Sequence, residues 1–353
     1  MQEFFTESSQ KLQEFNDFLV SPMVSPMASP KKIVITTHQN PDADALGSSL
    51  GLAAYLKKKG HFPTIITPTD YPDFLRWMPG EKEVINFEGE KQELAKTLIA
   101  EAEMIFCLDF SVLNRIKGME EFVKKSSAKK TLIDHHQQPE NFADFVYWSE
   151  KSAATCELIF KLIETLGDKH LIDIPLAECL YAGLVTDTGS FRFDSTTPEV
   201  HRVAGELIAI GIQTNSVHRQ IFDSNNFERM KFLGFALGEK LTYLPQYNVA
   251  YMAISKEDLA KFSSKNGDTE GIVNYGLSIK GVVMAAIFTE RDDMIRISFR
   301  SIDSFSVSEF SRNHFHGGGH KNAAGGRSHE SLPKTVERFL ALLPKYQHEL
   351  VPN

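Results

Sequence analysis

Residues 31–48, KKIVITTHQNPDADALGS, decide the fold of this chain. The apolar, β-branched run at their start predicts a strand, and LGSSLGLAAYLKKKG at 46–60 predicts a helix that ends in lysines and glycine. His38, Asp42 and Asp44 lie in the loop between the two elements. The stretch therefore predicts a β-loop-α unit that carries an imidazole and two carboxylates in its loop.

Further strand-like runs follow, separated by helical stretches such as KQELAKTLIAEAE at 91–103. These runs are HFPTIIT at 61–67, EVINF at 83–87, MIFCLDF at 104–110 and KKTLIDHH at 129–136. Alternation of short strands and helices is typical of a mostly parallel sheet covered by helices. The sequence thus predicts an α/β fold for this half of the chain.

Carboxylates and imidazoles interrupt or follow several of these apolar runs. Besides the first loop they include Asp109, Asp134, His135, His136 and Asp187. Each cluster taken alone has an ordinary interpretation, as a helix cap or a core histidine. A parallel sheet would bring all four clusters to one edge, where open α/β folds bind their ligands. Aspartates and histidines without cysteines at ligand spacing suit Mn²⁺ or Mg²⁺ better than a structural zinc, and we expect two-metal phosphoester hydrolysis.

The second half of the chain predicts a separate, smaller α/β domain. Residues 241–254 and 281–301 each predict a pair of strands joined by a turn, and a helix is expected at 306–313. The glycine loop 317–319 and His320 can cradle an anion, which Arg300 can contact bidentately. The alternative for such a loop is a flexible linker or a tight turn.

We divide the chain into four segments. They are an N-terminal helix with a Ser/Pro linker (1–30), a catalytic domain (31–225), a connector (226–240) and a substrate-binding domain (241–353).

Composition narrows the class of function. The chain has 353 residues and a formal net charge of −8, which argues against a sequence-independent grip on long duplex nucleic acid. It shows neither a secretory leader nor an apolar run long enough to span a membrane, so we expect no membrane partner and a cytoplasmic location. Its three cysteines, which lack CxxC spacing, are expected to be buried reduced thiols.

Six sequence motifs together resemble those of a known family. THQNPDADALGSSLGLAAYL, CLDFS, LIDHH and VTDTGSFRF look like the four successive motifs of the DHH phosphoesterase family, and SFRS with HGGGHKNAAGG looks like its DHHA1 domain. The resemblance runs from about residue 31 to about residue 345, in the expected order. One departure is Ala43, where the family often has glycine; the small side chain leaves metal ligation intact.

The resemblance implies roles for individual residues. One Mn²⁺ would be held by His38, Asp42 and Asp109, and the second by Asp44, Asp109, His135 and Asp187. Asp109 would bridge the two ions, Asp134 would orient His135, and His136 would protonate or stabilise the leaving oxygen. Arg300, Gly318, Gly319 and His320 would bind the far end of a nucleotide, in an active site placed in the cleft between the two domains.

The compact size is similar to that of the stand-alone NrnA-type subgroup of bifunctional oligoribonucleases and PAP phosphatases. This implies two Mn²⁺, with Mg²⁺ as an alternative, and substrates such as mononucleotide bisphosphates or RNA of about two to five residues, cleaved by a two-metal mechanism. A homodimer is compatible with the resemblance. Three alternatives stay open at this point: hydrolysis of cyclic or linear dinucleotides, hydrolysis of polyphosphate, and a nucleotide-binding regulatory module without catalysis.

Overall fold

The computed structural model describes residues 9–20, 29–264 and 267–352. The chain divides into two compact units, Met1–Ser224 and Asn225–Asn353. Residues 21–28, which hold most of the predicted Ser/Pro linker, lie outside the described residues. Residues 226–240, predicted as a connector, fall within the second unit, and the domain limits drawn from the sequence stay a prediction.

The first unit contains a six-stranded sheet in which every pairing is parallel. Its strand order is β3-β2-β1-β4-β5-β6. The strands are β1 (Lys32–Thr37), β2 (Phe62–Thr67), β3 (Ile85–Asn86), β4 (Met104–Leu108), β5 (Lys129–Asp134) and β6 (Phe145–Trp148). The predicted parallel α/β sheet is confirmed.

Helices cover both faces of this sheet. They are α1 (Ser9–Phe18), α2 (Ala43–Lys58), α3 (Gln92–Glu101), α4 (Glu120–Lys125), α5 (Thr155–Thr165), α6 (Ile174–Asp187), α7 (Pro198–Ala209) and α8 (Thr214–Phe222). One apolar core holds residues of α2, α5, α6 and α7, and a second core on the other face holds residues of α3 and α4. Burial on both faces explains why these strands read as continuous apolar runs.

The N-terminal helix α1 belongs to the first core. Phe15 is fully buried and makes edge contacts with Phe106 on β4 and Phe145 on β6. The helix therefore packs on the sheet even though it precedes the region that resembles the family.

The strand order reverses between β1 and β4. In an open α/β sheet, ligands bind outside the carboxyl ends of the strands at such a reversal. His38 follows the last residue of β1, and Asp109 follows the last residue of β4. The topology thus places two of the predicted site residues on either side of the point where a binding crevice is expected.

The second unit contains a mixed sheet of six strands in the order β11-β12-β10-β9-β8-β7. All pairings are antiparallel except that of β8 with β9. The strands are β7 (Leu241–Leu244), β8 (Val249–Ile254), β9 (Met284–Glu290), β10 (Ile295–Ser301), β11 (Gly318–His320) and β12 (Ala323–Ser328). The smaller second domain predicted from the sequence is confirmed.

In the part of the chain that the structure describes, five α-helices accompany this sheet. They are α9 (Phe227–Phe235), α10 (Lys256–Lys261), α11 (Ile272–Leu277), α12 (Val307–His314) and α13 (Leu332–Tyr346). One core includes residues of α9, α10 and α11, and another includes residues of α12 and α13. Within the described residues, no helix combines the length and the apolar character needed to cross a membrane.

Candidate metal centre

Three strand ends bring the predicted polar residues together. Nε2 of His38, after β1, lies 3.4 Å from Oδ2 of Asp109, after β4, and 3.7 Å from Oδ2 of Asp42. These three side chains have ligand atoms within 4.8 Å of one another, and so have Asp44, Asp109 and His135. The sequence clusters therefore meet in space, in two adjoining groups that share Asp109.

Asp42 performs two tasks with its two oxygens. Oδ1 accepts hydrogen bonds from the backbone amides of Asp44 and Ala45 at 3.1 and 3.0 Å, which caps the N-terminus of α2. Oδ2 faces His38. The helix-cap interpretation and the ligand interpretation of this loop are thus compatible, because one carboxylate has an oxygen for each.

Asp109 sits in an unusual backbone conformation. Its φ is 64°, in the left-handed region that residues other than glycine seldom adopt. Oδ2 faces His38, while Oδ1 lies 3.3 Å from Nε2 of His135. The strained backbone holds a buried carboxylate with one oxygen directed at each group, which is the arrangement a bridging ligand requires.

His135 lies at the centre of the second group. Its Nε2 is 3.3 Å from Asp109, 3.6 Å from Asp44 and 3.4 Å from Asp187. Helix α6 can present Asp187 here because Gly183 leaves room. A Cβ at Gly183 would lie 2.7 Å from Oδ1 of Asp44 and 2.4 Å from Sγ of Cys156.

Backbone carbonyls fix the other ring nitrogen of both histidines. Nδ1 of His38 lies 2.8 Å from the carbonyl oxygen of Gln39, and Nδ1 of His135 lies 3.2 Å from that of Ser152. A carbonyl oxygen only accepts, so Nδ1 carries a proton and donates in each case. Nε2 is then the ring atom directed at the carboxylates, as in histidines that bind metal ions. The donor set and its orientation fit divalent cations.

The buried carboxylates of the cluster also favour the binding of positive charge. Burial, together with the charge of Asp109, raises the pKa of Asp44 to about 7, and burial with the charge of Asp44 raises the pKa of Asp187 well above its usual range. Burial alone would lower the pKa of His38, but hydrogen bonds to Asp109 and Asp42 outweigh it and raise this pKa to about 10. Protons on these groups offset the clustered negative charge, and divalent cations would replace them.

This electrostatic arrangement predicts how stability depends on pH. In EDTA, we expect the free energy of unfolding to fall as the pH rises from about 5 to about 9. The raised pKa values of Asp44 and His38 mean that the folded protein holds protons that the unfolded chain has already released. Folding is therefore favoured at the acidic end of this range and loses that contribution as the groups deprotonate.

Thermal melting with EDTA and with saturating Mn²⁺ at several pH values measures this dependence. A divalent cation should flatten the curve, because its ligands are deprotonated at every pH at which it binds. Parallel curves with and without the cation would show that these groups do not bind it.

The aspartate of LIDHH contacts a different histidine from the one implied by the resemblance. Nδ1 of His136 donates to Oδ1 of Asp134 at 2.8 Å, whereas Ser152 holds Nδ1 of His135. The reason is the alternation of side chains in extended chain, which places residues two apart on the same side. Trp148 adds a further restraint, because its Nε1 donates to the carbonyl oxygen of His136 at 2.6 Å.

The N-terminus of α5 contributes contacts that the sequence interpretation missed. The backbone amides of Thr155 and Cys156 donate to Oδ2 and Oδ1 of Asp44 at 2.6 and 2.9 Å. The hydroxyl of Thr155 donates to Oδ1 of Asp109 at 3.0 Å. The positive end of a helix thus orients two of the buried carboxylates.

In the second unit, Arg300 and His320 lie in one row across three strands. On β10, Arg300 pairs with Ala323 of β12, which in turn pairs with His320 of β11. Directly paired residues project from the same face, so the two longer side chains flank the small Ala323. Gly318 lies two residues before His320 on that face, and a Cβ there would meet no atom of the described structure within 4 Å.

The glycine segment differs from the loop expected from the sequence. Gly318–His320 forms β11, and Gly319 has a φ of 142° with Ala323 O at 2.6 Å from its ideal Cβ. Gly317 is enclosed by Gly325 and Ser311. Packing therefore requires two of the three glycines, while Gly318 leaves open space beside Arg300 and His320, as glycines do where a ligand approaches a strand.

Comparison with known proteins assigns the chain. Residues 32–184 match the model of the DHH family, N-terminal domain, and residues 246–349 match that of the DHHA1 domain. The bifunctional oligoribonuclease and PAP phosphatase NrnA of Thermus thermophilus is 32% identical over 297 residues, 83% of each chain. The chain belongs to the DHH family. Proteins of this family are phosphoesterase hydrolases, and this chain is one.

Two further relatives support the assignment. The NrnA of Bacillus subtilis is 28% identical over 83% of this chain and 88% of its own. The crystal structure of an exopolyphosphatase-related protein from Bacteroides fragilis superposes with a TM-score of 0.89 at 36% identity, covering 97% of this chain and 98% of that one. The DHH and DHHA1 resemblance seen in the motifs is confirmed over both units.

Proposed function

We propose that this DHH-family chain hydrolyses short oligoribonucleotides and 3′-phosphoadenosine 5′-phosphate with two Mn²⁺ ions. The observation that carries the two-metal part is the buried carboxylate of Asp109, whose two oxygens face two separate groups of donors. The substrate part is supported by the two NrnA relatives, which match most of this chain. Mg²⁺ is the alternative cation, since carboxylates and neutral imidazoles suit either ion.

The chain's own residues divide into two ligand sets in this proposal. His38, Asp42 and Asp109 hold one cation, and Asp44, Asp109, His135 and Asp187 hold the other. When bound, such cations offset the charge of the transferring phosphoryl group and lower the pKa of water. Thr155 and the amide of Cys156 keep the carboxylates of Asp109 and Asp44 in place.

His136 is assigned to the leaving group. Its Nδ1 is bound by the buried Asp134, so Nε2 is the atom that can hold a proton for the departing oxygen. Trp148 and Asp134 fix the backbone and the ring of His136, which limits the positions that this proton can take. Orientation of this kind is what general acid catalysis demands, because the donor must lie within hydrogen-bond reach of the reacting oxygen.

The second unit is assigned to the far end of the nucleotide. Arg300 and His320 project from one face of its sheet around Ala323, and Gly318 leaves that face open. A guanidinium and an imidazole on one polar face suit a phosphate or the edge of a base, through charge-assisted hydrogen bonds.

A substrate panel tests the proposal. The chain, stripped with EDTA and reloaded with Mn²⁺ or Mg²⁺, is assayed for products from 3′-phosphoadenosine 5′-phosphate, pApA, a ribonucleotide 5-mer, a 30-mer duplex, cyclic di-AMP and polyphosphate. We expect turnover of the first three, with the highest rate in Mn²⁺, and far slower reaction with the duplex because of the acidic net charge.

The unloaded protein and an Asp109→Asn variant serve as negative controls for a contaminating nuclease. Release of phosphate from polyphosphate alone would replace the nucleotide assignment with exopolyphosphatase. Cleavage of cyclic di-AMP as fast as pApA would instead favour a dinucleotide phosphodiesterase.

A further inference from the structure

The loop that follows Asp187 is a strained and closely tied segment of the first unit. Gly189, Ser190 and Phe191 have φ values of 56°, 59° and 63°, so three consecutive residues are left-handed. Such a conformation is costly for residues other than glycine and is retained where the surrounding structure and a function demand it. The strain lies directly after α6, whose last residue faces His135.

Hydrogen bonds fold this loop back on the end of α6. The amides of Arg192 and Phe193 both donate to the carbonyl oxygen of Thr188, at 2.8 and 3.0 Å, and the amide of Phe191 donates to its hydroxyl at 3.0 Å. Thr188 is the residue after Asp187. The backbone of Arg192 and Phe193 is therefore tied to the residue next to Asp187, which is a member of the metal centre.

The two phenylalanines of the loop have different environments. Phe191 packs against the first core and stacks on His201, with ring centroids 5.3 Å apart. Phe193 points outward and is 38% exposed, and the edge of its ring closes on Gly189, where an added Cβ would lie 2.5–2.9 Å from three ring atoms. The loop thus anchors itself with one ring and presents the other to solvent at a defined place.

Arg192 also faces solvent while the loop holds its side chain. It is exposed, and its Nε donates to the carbonyl oxygen of Gly189 at 2.6 Å. Within the described residues this is the side-chain hydrogen bond that Arg192 makes, and it has no carboxylate partner. A rigid guanidinium and an exposed aromatic ring, both held over one glycine beside a phosphoesterase centre, are the elements that bind a nucleotide.

We propose that Arg192 and Phe193 form a nucleotide-binding platform at the metal centre, in which Phe193 stacks on a base next to the scissile phosphate and Arg192 contacts a phosphate. The proposal rests on the proposed function, because it assumes that the substrate carries bases. Stacking on a planar ring tolerates every base, so the platform supplies affinity without sequence preference. Single-stranded, short substrates suit it, since their bases are free to stack.

Removal of a base from the substrate tests the platform. The Phe193→Ala variant, loaded with Mn²⁺, is assayed on pApA and on the two dinucleotides in which one or the other base is replaced by hydrogen. Loss of stacking should raise KM for pApA by roughly fivefold to a hundredfold with little change in kcat. The dinucleotide that lacks the stacked base should be hydrolysed equally by the variant and the unmodified chain, and Phe193→Trp should restore the low KM.

Phe62→Ala is the matched control. Phe62 is a more exposed phenylalanine, at 64%, and it begins β2 at the edge of the parallel sheet opposite the metal centre. An equal loss on all three dinucleotides, or none on pApA, would overturn the platform. Failure of the unmodified chain to cleave pApA would instead overturn the proposed function.

Discussion

Replacing Asp109 with asparagine should lower kcat on pApA by more than about a thousandfold, because each ion of a two-metal site contributes several kcal/mol to the barrier. Asparagine keeps the volume of the side chain and tolerates the left-handed backbone found at this position, where φ is 64°. We therefore expect the variant to fold, so that the loss of kcat reports on the carboxylate. Alanine removes the same ligand but also fits this backbone less well.

Metal stoichiometry shows whether Asp109 is shared. Titration calorimetry with Mn²⁺ should show both sites weakened in Asp109→Asn, since one oxygen faces each group of donors. Asp223→Asn is a matched control, because this exposed carboxylate directly follows α8 in the same unit. One site at full affinity with the other abolished would assign Asp109 to a single ion and contradict the bridge.

The parallel sheet could be predicted because the sequence repeats one local pattern. An apolar run is followed by a polar residue in the loops that begin with His38, Asp109 and His135. In a doubly wound sheet buried on both faces, such runs are continuous, and the polar residues mark the carboxyl ends of the strands. Fold class and the neighbourhood of the polar residues follow from this pattern together.

The contacts that orient the metal ligands could not be predicted in the same way. The amide of Thr155 binds Asp44, 111 residues away in the chain, and any residue type supplies an amide. The partner of Asp134 was also assigned incorrectly, because a motif names residues but does not show which way adjacent side chains project. Sequence patterns identify which residues share a site, while the path of the backbone determines which of their atoms form hydrogen bonds.

The glycine segment shows a second limit. Gly318–His320 has low intrinsic strand propensity, yet it forms β11 because β12 pairs with it at three positions. The expectation of an anion-binding loop followed from composition alone. The paired structure gives a different physical reason for Gly317 and Gly319, and only Gly318 is left with open space.

His136→Ala should lower kcat on pApA by roughly a hundredfold to ten-thousandfold while both Mn²⁺ ions stay bound, as expected for the loss of a general acid. Asp134→Asn should cause a smaller loss, since it disturbs only the ring orientation that the 2.8 Å hydrogen bond provides. The Mn²⁺ content of the purified variants, measured beside kcat, separates loss of a metal ligand from loss of a proton donor.

A substrate with a better leaving group distinguishes a general acid from other roles of His136. The p-nitrophenyl ester of thymidine 5′-phosphate releases an anion that is stable without a proton, so His136→Ala should hydrolyse it nearly as fast as the unmodified chain. His170→Ala is the control, because His170 is an exposed histidine in the turn Lys169–Leu171 of the same unit and belongs to neither group of proposed ligands. An equal loss of kcat on the ester and on pApA would mean that His136 stabilises the phosphoryl group itself, and the assignment of its proton to the leaving oxygen would be wrong.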